Sequence, residues 1–264
     1  MPRFDTSDGY SLYYEELGEG NPPLLVMPGV ITAIESSGAV MAPFATRRRL
    51  IAFDHIGSGS SARPTPQERS YGLDRQLDDA LELLEHLGVE RFVAGGWARG
   101  SALAVQLALR VPERVEKVVM LGTPLLGARA EQMDYGVALA FVELARTGGD
   151  TIAPQAFIEA GIPDATPEQR KFAVGWLAGS TSGEVIGAQL EAFAGAVSLE
   201  EAAQVRCPVL LVAGTGDIVV PSEEAETLAA AFPDCRLVLV EGAANGLFYT
   251  RPEDTGPAVE KFLS

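Results

Sequence analysis

The stretch FVAGGWARGSALAVQLALRVPERV, residues Phe92–Val115, decides the fold of this chain. It begins with a short apolar run typical of a buried strand and continues through a Gly-rich turn into a segment with Ala and Leu at helical spacing. Pro112 ends that segment, because proline cannot continue a helix. The turn is crowded with small residues, since Gly96 and Gly100 flank Ala98. A buried strand that turns tightly into a helix indicates a parallel α/β unit.

The bulk composition excludes several classes of partner. The chain has 264 residues, of which 47% are hydrophobic and 21% charged, so it can bury a sizeable core as one large or two small domains. Its 20 Lys and Arg residues against 36 Asp and Glu residues leave a net charge of −16. Nucleic acid and anionic membranes both require a basic face, so neither is expected as a partner. The expected partner is a small-molecule substrate.

The N-terminus and the cysteines predict a cytoplasmic protein. The stretch MPRFDTSDGYSLYYEE alternates like an edge strand and hairpin, and it lacks the charged start and apolar centre of a signal peptide. No apolar run approaches the ~20 residues that span a bilayer. Cys207 and Cys235 are too few for a disulfide framework or a zinc site. Buried reduced thiols are the favoured interpretation, a bond between them stays open, and neither a metal nor a cofactor is expected.

The rest of the chain alternates short apolar runs with helical patterns, which indicates a mostly parallel sheet with helices on both faces. Strands are predicted at Leu24–Met27, Leu50–Asp54, Phe92–Gly95, Lys117–Leu121, Val209–Ala213 and Leu237–Glu241. Helices are predicted at Leu73–Leu87, Ala98–Arg110, Glu223–Phe232 and from about Glu253 to Phe262. Gly88 is expected to stop the first helix, and Ser222 is expected to cap the third.

Residues 125–205 form a segment with a different rhythm. No strand is predicted there, and the helical patterns are broken by RTGGD, AGIPDATPEQ and AGSTSG. We interpret 125–205 as a helical cap inserted into an α/β core made of residues 1–124 and 206–264. Ligands of open α/β sheets bind at the carboxyl edge of the strands, so the cap would cover the site.

Five stretches in the right order resemble the α/β-hydrolase superfamily, specifically its capped bacterial members. LLVMPGV stands at the strand and oxyanion loop, IAFDHIGSGSSARP resembles the Asp-x-x-Gly-x-Gly-x-Ser loop, and GWARGSALAVQLALRVPERV is similar to the nucleophile elbow and its helix. PVLLVAGTGDIVVP and VEGAANGLFYTRPED match the segments that deliver the catalytic acid and the catalytic histidine. The resemblance implies an eight-stranded α/β-hydrolase fold, but a fold alone does not imply a function.

The elbow stretch allows two registers. A register centred on Trp97 places Arg99 where the second glycine belongs, whereas a register centred on Ala98 keeps Gly96 and Gly100. The family's usual spacing back from Pro112 also leads to Ala98. The residues on either side of the nucleophile must be small for helix and strand to pack, so Ala98 is predicted to occupy the nucleophile position.

The catalytic triad that the resemblance implies is degenerate. Asp217 stands at the acid position, and Asn245 stands where the histidine belongs. A methyl group at Ala98 cannot attack a carbonyl, and an amide at Asn245 cannot cycle a proton near neutral pH. The chain has two histidines; His86 is expected on the polar side of its helix and His55 in a loop near the carboxyl edge, with a non-catalytic role favoured.

The oxyanion hole that the resemblance implies does not depend on those side chains, because backbone N–H groups form it. Its donors would be Val30 and Arg99. The guanidinium of Arg99 either clamps an anionic group of the substrate or forms a salt bridge with a surface acid. The substrate pocket is predicted to involve Trp97, His55, Tyr135, Trp176 and Leu247, although packing is the commoner fate of such a tryptophan.

Three functional hypotheses remain open at this point. The favoured one is a non-hydrolytic tailoring enzyme of bacterial natural-product biosynthesis, catalysing cyclisation, C–C bond formation, elimination or rearrangement by oxyanion stabilisation. An alternative is an ester or lactone serine hydrolase whose nucleophile was replaced at Ala98 to trap substrate, although that leaves Asn245 unexplained. The third is a ligand-binding protein without chemistry. The substrate is not identified by the sequence, and a homodimer is one of the oligomeric states left open.

Overall fold

The computed structural model describes residues 2–30, 48–123, 155, 158–177, 181–193 and 197–264. In this part of the chain, eight strands form one sheet. They are β1 (Arg3–Asp5), β2 (Ser11–Leu17), β3 (Leu24–Met27), β4 (Leu50–Phe53), β5 (Phe92–Trp97), β6 (Val115–Leu121), β7 (Val209–Gly214) and β8 (Cys235–Val240).

The strand order is β1-β2-β4-β3-β5-β6-β7-β8. The strands β1 and β2 pair in antiparallel orientation and form the expected N-terminal hairpin. The pair β2–β4 is also antiparallel, and all other neighbouring pairs are parallel. The predicted eight-stranded, mostly parallel sheet is therefore confirmed. The carboxyl ends of parallel strands meet at one edge, so the loops after Met27, Phe53, Trp97, Gly214 and Val240 converge there.

In the described part of the chain, helices between and after the strands cover the sheet. They are α1 (Leu73–His86), α2 (Arg99–Arg110), α3 (Pro167–Leu177), α4 (Gly183–Phe193), α5 (Leu199–Ala202), α6 (Ser222–Ala231), α7 (Leu247–Thr250) and α8 (Pro252–Leu263). One apolar core packs α1, α2 and α6 against the sheet, and a second core on the opposite face contains residues of α3, α4, α7 and α8.

The side-chain alternation of a strand explains why there are two cores. In β3, Leu25 belongs to the core under α1 and α2, whereas Leu24 and Val26 belong to the core on the other face. Successive side chains of a strand point to opposite faces, and both faces are covered here. The strands of this sheet are therefore almost continuously apolar, as a parallel sheet requires.

Gly88 ends α1 as expected, whereas Ser222 does not cap α6. Gly88 has φ 64°, and its N–H bonds back to the carbonyl of Glu85 over 3.0 Å. In α6, Ser222 is already helical, and Pro221 is the N-cap residue with φ −54° and ψ 148°. The predicted cap is wrong because the extended turn at Pro221 starts the helix one residue earlier, with no side-chain hydrogen bond at its N-cap.

The described parts of the segment 125–205 are mainly helical and contact the carboxyl edge. The hydroxyl of Thr181 donates to the carbonyl of Gly57 over 2.7 Å, and the N–H of Gly246 donates to the carbonyl of Gly161 over 2.7 Å. A Cβ at Gly246 would lie 2.2 Å from the Ile162 side chain, so the two segments are closely packed. The division into a core and a cap stays a prediction.

Both cysteines are half-buried free thiols at the start of neighbouring strands. Burial raises the pKa of Cys207 and of Cys235 to about 11, and the nearby Asp234 carboxylate shifts both pKa values in the same direction. These thiols are therefore protonated and unreactive near neutral pH. No described helix is both long enough and apolar enough to cross a membrane, and the cytoplasmic location stays a prediction.

Candidate active site

The turn between β5 and α2 is strained at Ala98. Ala98 has φ 49° and ψ −113°, and among the described residues it is the one non-glycine with a positive φ. Its N–H donates to the carbonyl of Leu121 over 3.1 Å, and the residue is partly exposed. Conformations of this kind cost of order 1–3 kcal/mol and persist where the surrounding structure imposes them.

Two glycines allow this turn to form. A Cβ at Gly100 would lie 1.9 Å from the carbonyl oxygen of Met27, and a Cβ at Gly96 would lie 2.5 Å from the carbonyl carbon of Gly100. The first turn of α2 therefore packs directly on the backbone at the end of β3. This close approach is the physical reason for the glycine on each side of Ala98.

Asp217 lies in the loop after β7 and is held by three hydrogen bonds. Its Oδ1 accepts from the N–H groups of Val219 and Val220 over 2.8 and 2.9 Å. Its Oδ2 accepts from Nδ2 of Asn245 over 2.9 Å. Both side chains are buried, so the pair forms a fixed polar unit at the carboxyl edge.

Gly122, at the end of β6, shows how close these residues come to one another. A Cβ at Gly122 would lie 3.8 Å from the backbone nitrogen of Ala98 and 3.9 Å from Nδ2 of Asn245. The structure therefore brings Ala98, Asn245 and Asp217 to one place at the carboxyl edge. Their assignment to the three triad positions stays a prediction.

The loop after β3 lies against the elbow. The carbonyl of Pro28 is 3.0 Å from the position that a Cβ of Gly100 would take. Nε2 of His55 lies 3.3 Å from that same carbonyl, and Nη2 of Arg99 donates to the carbonyl of Gly29 over 3.4 Å. Val30 follows in this loop and is partly exposed.

The guanidinium of Arg99 is buried behind the elbow. Its Nη1 donates to Oε1 of Gln76 on α1 in addition to the bond from Nη2 to Gly29. Burial lowers the pKa of Arg99 to about 9, so the group is still charged near neutral pH. Only 5% of Arg99 is exposed, and both alternatives for its guanidinium, a clamp on the substrate or a salt bridge, stay predictions.

Comparison with models of protein families identifies the family to which the chain belongs. The model described as "alpha/beta hydrolase fold" matches residues 22–147, and the model described as "TAP-like protein" matches residues 192–264. The chain belongs to the α/β-hydrolase superfamily. The predicted resemblance is thereby confirmed, and the strained turn at Ala98 lies within the first matched range.

Relatives of this α/β hydrolase are named for hydrolysis. A putative carbamate hydrolase RutD from Caulobacter sp. (strain K31) is 27% identical, over 98% of this chain and 97% of its own length. A pimeloyl-[acyl-carrier protein] methyl ester esterase from Nitrosomonas europaea is 28% identical, over 92% and 96%. The enol-lactonase from Burkholderia xenovorans LB400 has a TM-score of 0.84 at 22% identity, with 99% of both chains covered, and shows a shared fold.

These relatives overturn the favoured functional hypothesis. The prediction of a non-hydrolytic tailoring enzyme of natural-product biosynthesis is wrong, because the similar proteins are named as hydrolases and esterases. That prediction took Ala98 and Asn245 as signs of a new chemistry. In physical terms, stabilisation by backbone N–H donors does not depend on the side chains at positions 98 and 245.

The predicted pocket residues of the α/β hydrolase are largely buried. Trp97 is 2% exposed, and its ring stacks on Phe248 with centroids 4.6 Å apart. Leu247 is fully buried, and His55 is 2% exposed. This burial favours packing for Trp97 and Leu247, and their assignment to the pocket stays a prediction.

The structure describes His86 and Ser101, whereas two predicted pocket positions fall outside it. Tyr135 and the side chain of Trp176 lie outside the described residues. His86 is exposed on α1, as expected. The hydroxyl of Ser101 donates to the carbonyl of Gly96 over 3.0 Å inside the helix–strand contact, which leaves it in a packing role. Within the described chain, no three His, Cys, Asp or Glu side chains cluster as metal ligands would.

Gln76 is the residue near the site that the sequence analysis missed. It is 2% exposed and its Oε1 accepts from Arg99, while its Nε2 donates to the carbonyl of Tyr71 over 2.6 Å. A signal was present, because Gln76 is three residues after Leu73 and four before Ala80, on the apolar face of α1. A polar side chain on such a face requires buried hydrogen-bond partners.

Asp217 makes the stability of the hydrolase depend on pH. Burial raises the pKa of this carboxyl, against the lowering effect of bonds from Val220, Asn245 and Val219. The folded chain therefore holds this proton to a higher pH than the unfolded chain, and ionising Asp217 destabilises the fold. Its contribution is most favourable below the unfolded pKa of about 3.9 and is lost as pH rises toward the folded pKa.

Asp217→Asn is expected to flatten this profile. The variant should lose less stability than the unmodified chain between about pH 4 and pH 7, measured by urea unfolding at each pH. Asp5→Asn, which removes an exposed carboxyl, is the matched control and should leave the profile unchanged. A profile for Asp217→Asn that parallels the unmodified chain would contradict the assigned cost of ionisation.

Proposed function

We propose that this chain binds a small ester, lactone or carbamate by its carbonyl oxygen and hydrolyses it slowly by direct attack of water. The observation that carries the proposal is the turn at Ala98, which keeps its strained backbone beside the Asp217–Asn245 pair. The water oxygen attacks the carbonyl carbon, the bond to the leaving oxygen or nitrogen breaks, and the proton released by water passes through solvent to the leaving group.

Acyl-enzyme chemistry does not fit these side chains. Ala98 has no atom that can form an ester with the substrate, and Asn245 has no basic nitrogen to accept a proton. The hydroxyl of Ser101 is engaged with Gly96 inside α2. Attack by water is the hydrolytic route that needs no nucleophile from the protein.

Two backbone N–H donors account for the acceleration of hydrolysis that we propose. The N–H groups of Val30 and Arg99 would bind the oxygen of the tetrahedral intermediate, and neither depends on the side chain at position 98. In serine proteases that lack triad members, the oxyanion hole and binding retain about 10³–10⁴-fold acceleration over water. We propose an acceleration of this order for the unmodified chain.

The proposed class of substrate rests on the relatives and on the acidic composition of the chain, for which a small-molecule partner is expected. The similar proteins are named for a carbamate, a methyl ester and an enol-lactone, all of which have a carbonyl carbon open to hydrolysis. We propose that helices of segment 125–205 cap the site and that His55, Tyr135 and Trp176 contribute to its walls. The proposal also includes a cytoplasmic location and catalysis without a metal or cofactor.

Binding without turnover is the second candidate function. It is favoured by the simultaneous presence of Ala98 and Asn245, because either one alone removes triad catalysis. In this case the same donors would hold the carbonyl of a ligand that is released unchanged. Tight retention of an intact ester or lactone would identify this function.

The experiment compares product formation by the unmodified chain with that of two variants at one position. Phenyl acetate, a γ-lactone and a phenyl carbamate are the probes, and we expect hydrolysis about 10³-fold faster than in buffer. Val30→Pro removes one backbone donor and should lower the rate by about 10²-fold. Val30→Ala keeps the N–H and is the matched control, with little loss expected.

Each outcome of this experiment is decisive. Equal rates for Val30→Pro and Val30→Ala, with both variants folded by circular dichroism, would show that the N–H of Val30 plays no part. Binding of the probes with no product above the buffer rate would replace hydrolysis with the second candidate. Neither binding nor product from any probe would contradict both functions.

A further inference from the structure

Two consecutive carbonyls of the loop after β3 are held by buried side chains. Nε2 of His55 lies 3.3 Å from the carbonyl oxygen of Pro28, and because that oxygen only accepts, Nε2 carries the proton. Nη2 of Arg99 donates to the carbonyl oxygen of Gly29 over 3.4 Å. Both side chains are at least 95% buried. The side of the loop that faces the core is therefore fixed at two successive peptide units.

The bond to Gly29 determines the direction of the next N–H group. The carbonyl of Gly29 and the N–H of Val30 belong to one trans peptide, in which the two groups point in opposite directions. Since the carbonyl points toward the guanidinium of Arg99, the N–H of Val30 points away from it. The Val30 N–H therefore lies on the side of the peptide opposite the buried guanidinium.

Gln76 holds the guanidinium in place. Its Oε1 accepts from Nη1 of Arg99, and its Nε2 donates to the carbonyl of Tyr71 over 2.6 Å. The Gln76 amide is thus fixed at both ends, on the rigid helix α1. Loss of this acceptor would remove one of the contacts that orient the guanidinium toward the carbonyl of Gly29.

We propose that Gln76 is a positioning residue of the oxyanion hole, which acts through Arg99 and the Gly29 carbonyl to set the direction of the Val30 N–H. Arg99 then has two roles, because its own backbone N–H is the second proposed donor and its side chain orients the first. The inference that this alignment affects hydrolysis rests on the proposed function. The alignment itself does not, and it can be measured separately.

The first test measures kinetics in the variant Ala98→Ser/Asn245→His, in which the triad is restored. Adding Gln76→Leu should lower kcat for phenyl acetate by about 10- to 100-fold and change KM by less than about threefold, because the donor acts on the transition state. Gln76→Glu keeps the acceptor for Arg99 but loses the donor to the Tyr71 carbonyl, so it should recover part of kcat. Asp79→Asn, on the same helix, is the control for a structural defect and should lower Tm with kcat unchanged.

The second test measures the backbone amide of Val30 in the otherwise unmodified chain. Gln76→Leu should shift its ¹⁵N–¹H resonance and speed its hydrogen exchange, whereas Gln76→Glu should have a smaller effect and Asp79→Asn none. If Gln76→Leu does not fold, Arg99→Lys replaces it, since a single ammonium cannot serve Gln76 and Gly29 as the guanidinium fork does. The same displacement of the Val30 amide is expected.

The outcomes separate this inference from the proposed function. A Val30 amide that stays in place in Gln76→Leu overturns the inference, whatever happens to kcat. A displaced amide with kcat unchanged in an active restored variant also overturns it. A displaced amide in a chain whose restored variant is inactive supports the positioning role and contradicts the predicted triad positions; if the unmodified chain also forms no product, the proposed hydrolysis is contradicted as well.

Discussion

Ala98→Ser together with Asn245→His is expected to raise ester hydrolysis by at least about 10³-fold over the unmodified chain. The turn already holds position 98 at φ 49°, and Asn245 already bonds to Asp217 over 2.9 Å. A histidine at 245 would find its orienting carboxylate in place, and a serine at 98 would find the backbone geometry of a nucleophile. Steady-state rates with phenyl acetate, and acylation detected by mass spectrometry, are the measurements.

The single variants are the essential controls for this prediction. Ala98→Ser alone and Asn245→His alone should each give little, because nucleophile and base act as a unit and their effects do not add. Ala98→Ser with Asn245→Gln is the matched control, since it supplies the hydroxyl with a longer side chain that cannot titrate. A double variant no faster than this control would show that the loops do not bring positions 98 and 245 within reach of a shared proton.

Gly100→Ala is expected to destabilise the fold by at least about 3 kcal/mol, the largest stability effect we predict for one methyl group. The new Cβ would lie 1.9 Å from the carbonyl oxygen of Met27 and 3.0 Å from that of Pro28. Both neighbours are backbone atoms, which cannot rotate away as a side chain can. Relief would require α2 to move off β3, which separates the elbow from the oxyanion loop. Urea unfolding measures the loss, provided that the variant still folds.

Gly88→Ala separates this clash from the ordinary effect of losing a glycine. Gly88 has φ 64°, and a methyl group added there would meet no neighbouring atom within 4 Å, so its substitution should cost about 1–2 kcal/mol from backbone strain alone. If Gly100→Ala and Gly88→Ala lower the free energy of unfolding equally, the contact between α2 and β3 at Gly100 does not determine the cost of the added methyl group. In the variant Ala98→Ser/Asn245→His, we expect ester hydrolysis to fall when Gly100→Ala is added and to be retained when Gly88→Ala is added.

The strands of the fold were predictable from the sequence because a parallel sheet leaves a simple pattern. Runs such as Leu24–Met27 are apolar at every position, since both faces are covered, and the predicted strand boundaries agree with the structure to within two residues. The start of α6 was missed because Ser222 is a favourable cap residue in many contexts. The extended turn at Pro221 decided the boundary instead.

The sequence predicted the elements of the candidate site better than its contacts. The two-glycine register pointed to Ala98 as the residue in the tight turn, because only small neighbours permit helix and strand to touch. The contact from Gln76 to Arg99 joins residues 23 positions apart, and the contact from Arg99 to Gly29 joins residues 70 apart. No spacing rule predicts such contacts, because they depend on how α1 and β3 pack around the elbow.

The functional hypothesis failed for a related reason. Ala98 and Asn245 indicate which step the chain cannot perform, but they do not indicate what replaced it. The nature of the substrate lies in the pocket walls, and the residues predicted there are either buried, such as Leu247, or outside the described residues, such as Tyr135. Similarity over most of the chain to proteins named as hydrolases and esterases indicated the type of reaction, not the substrate.

The strained turn at Ala98 is maintained by packing of Gly96 and Gly100 on neighbouring backbone, and it forms without a hydroxyl at position 98. A lineage that carries this turn therefore keeps the geometry of a nucleophile without selection on the nucleophile itself. In the genetic code, alanine and serine codons are joined by a single base change, as are asparagine and histidine codons. On the predicted triad positions, a serine at 98 and a histidine at 245 are thus two point mutations away, for as long as the two glycines are preserved.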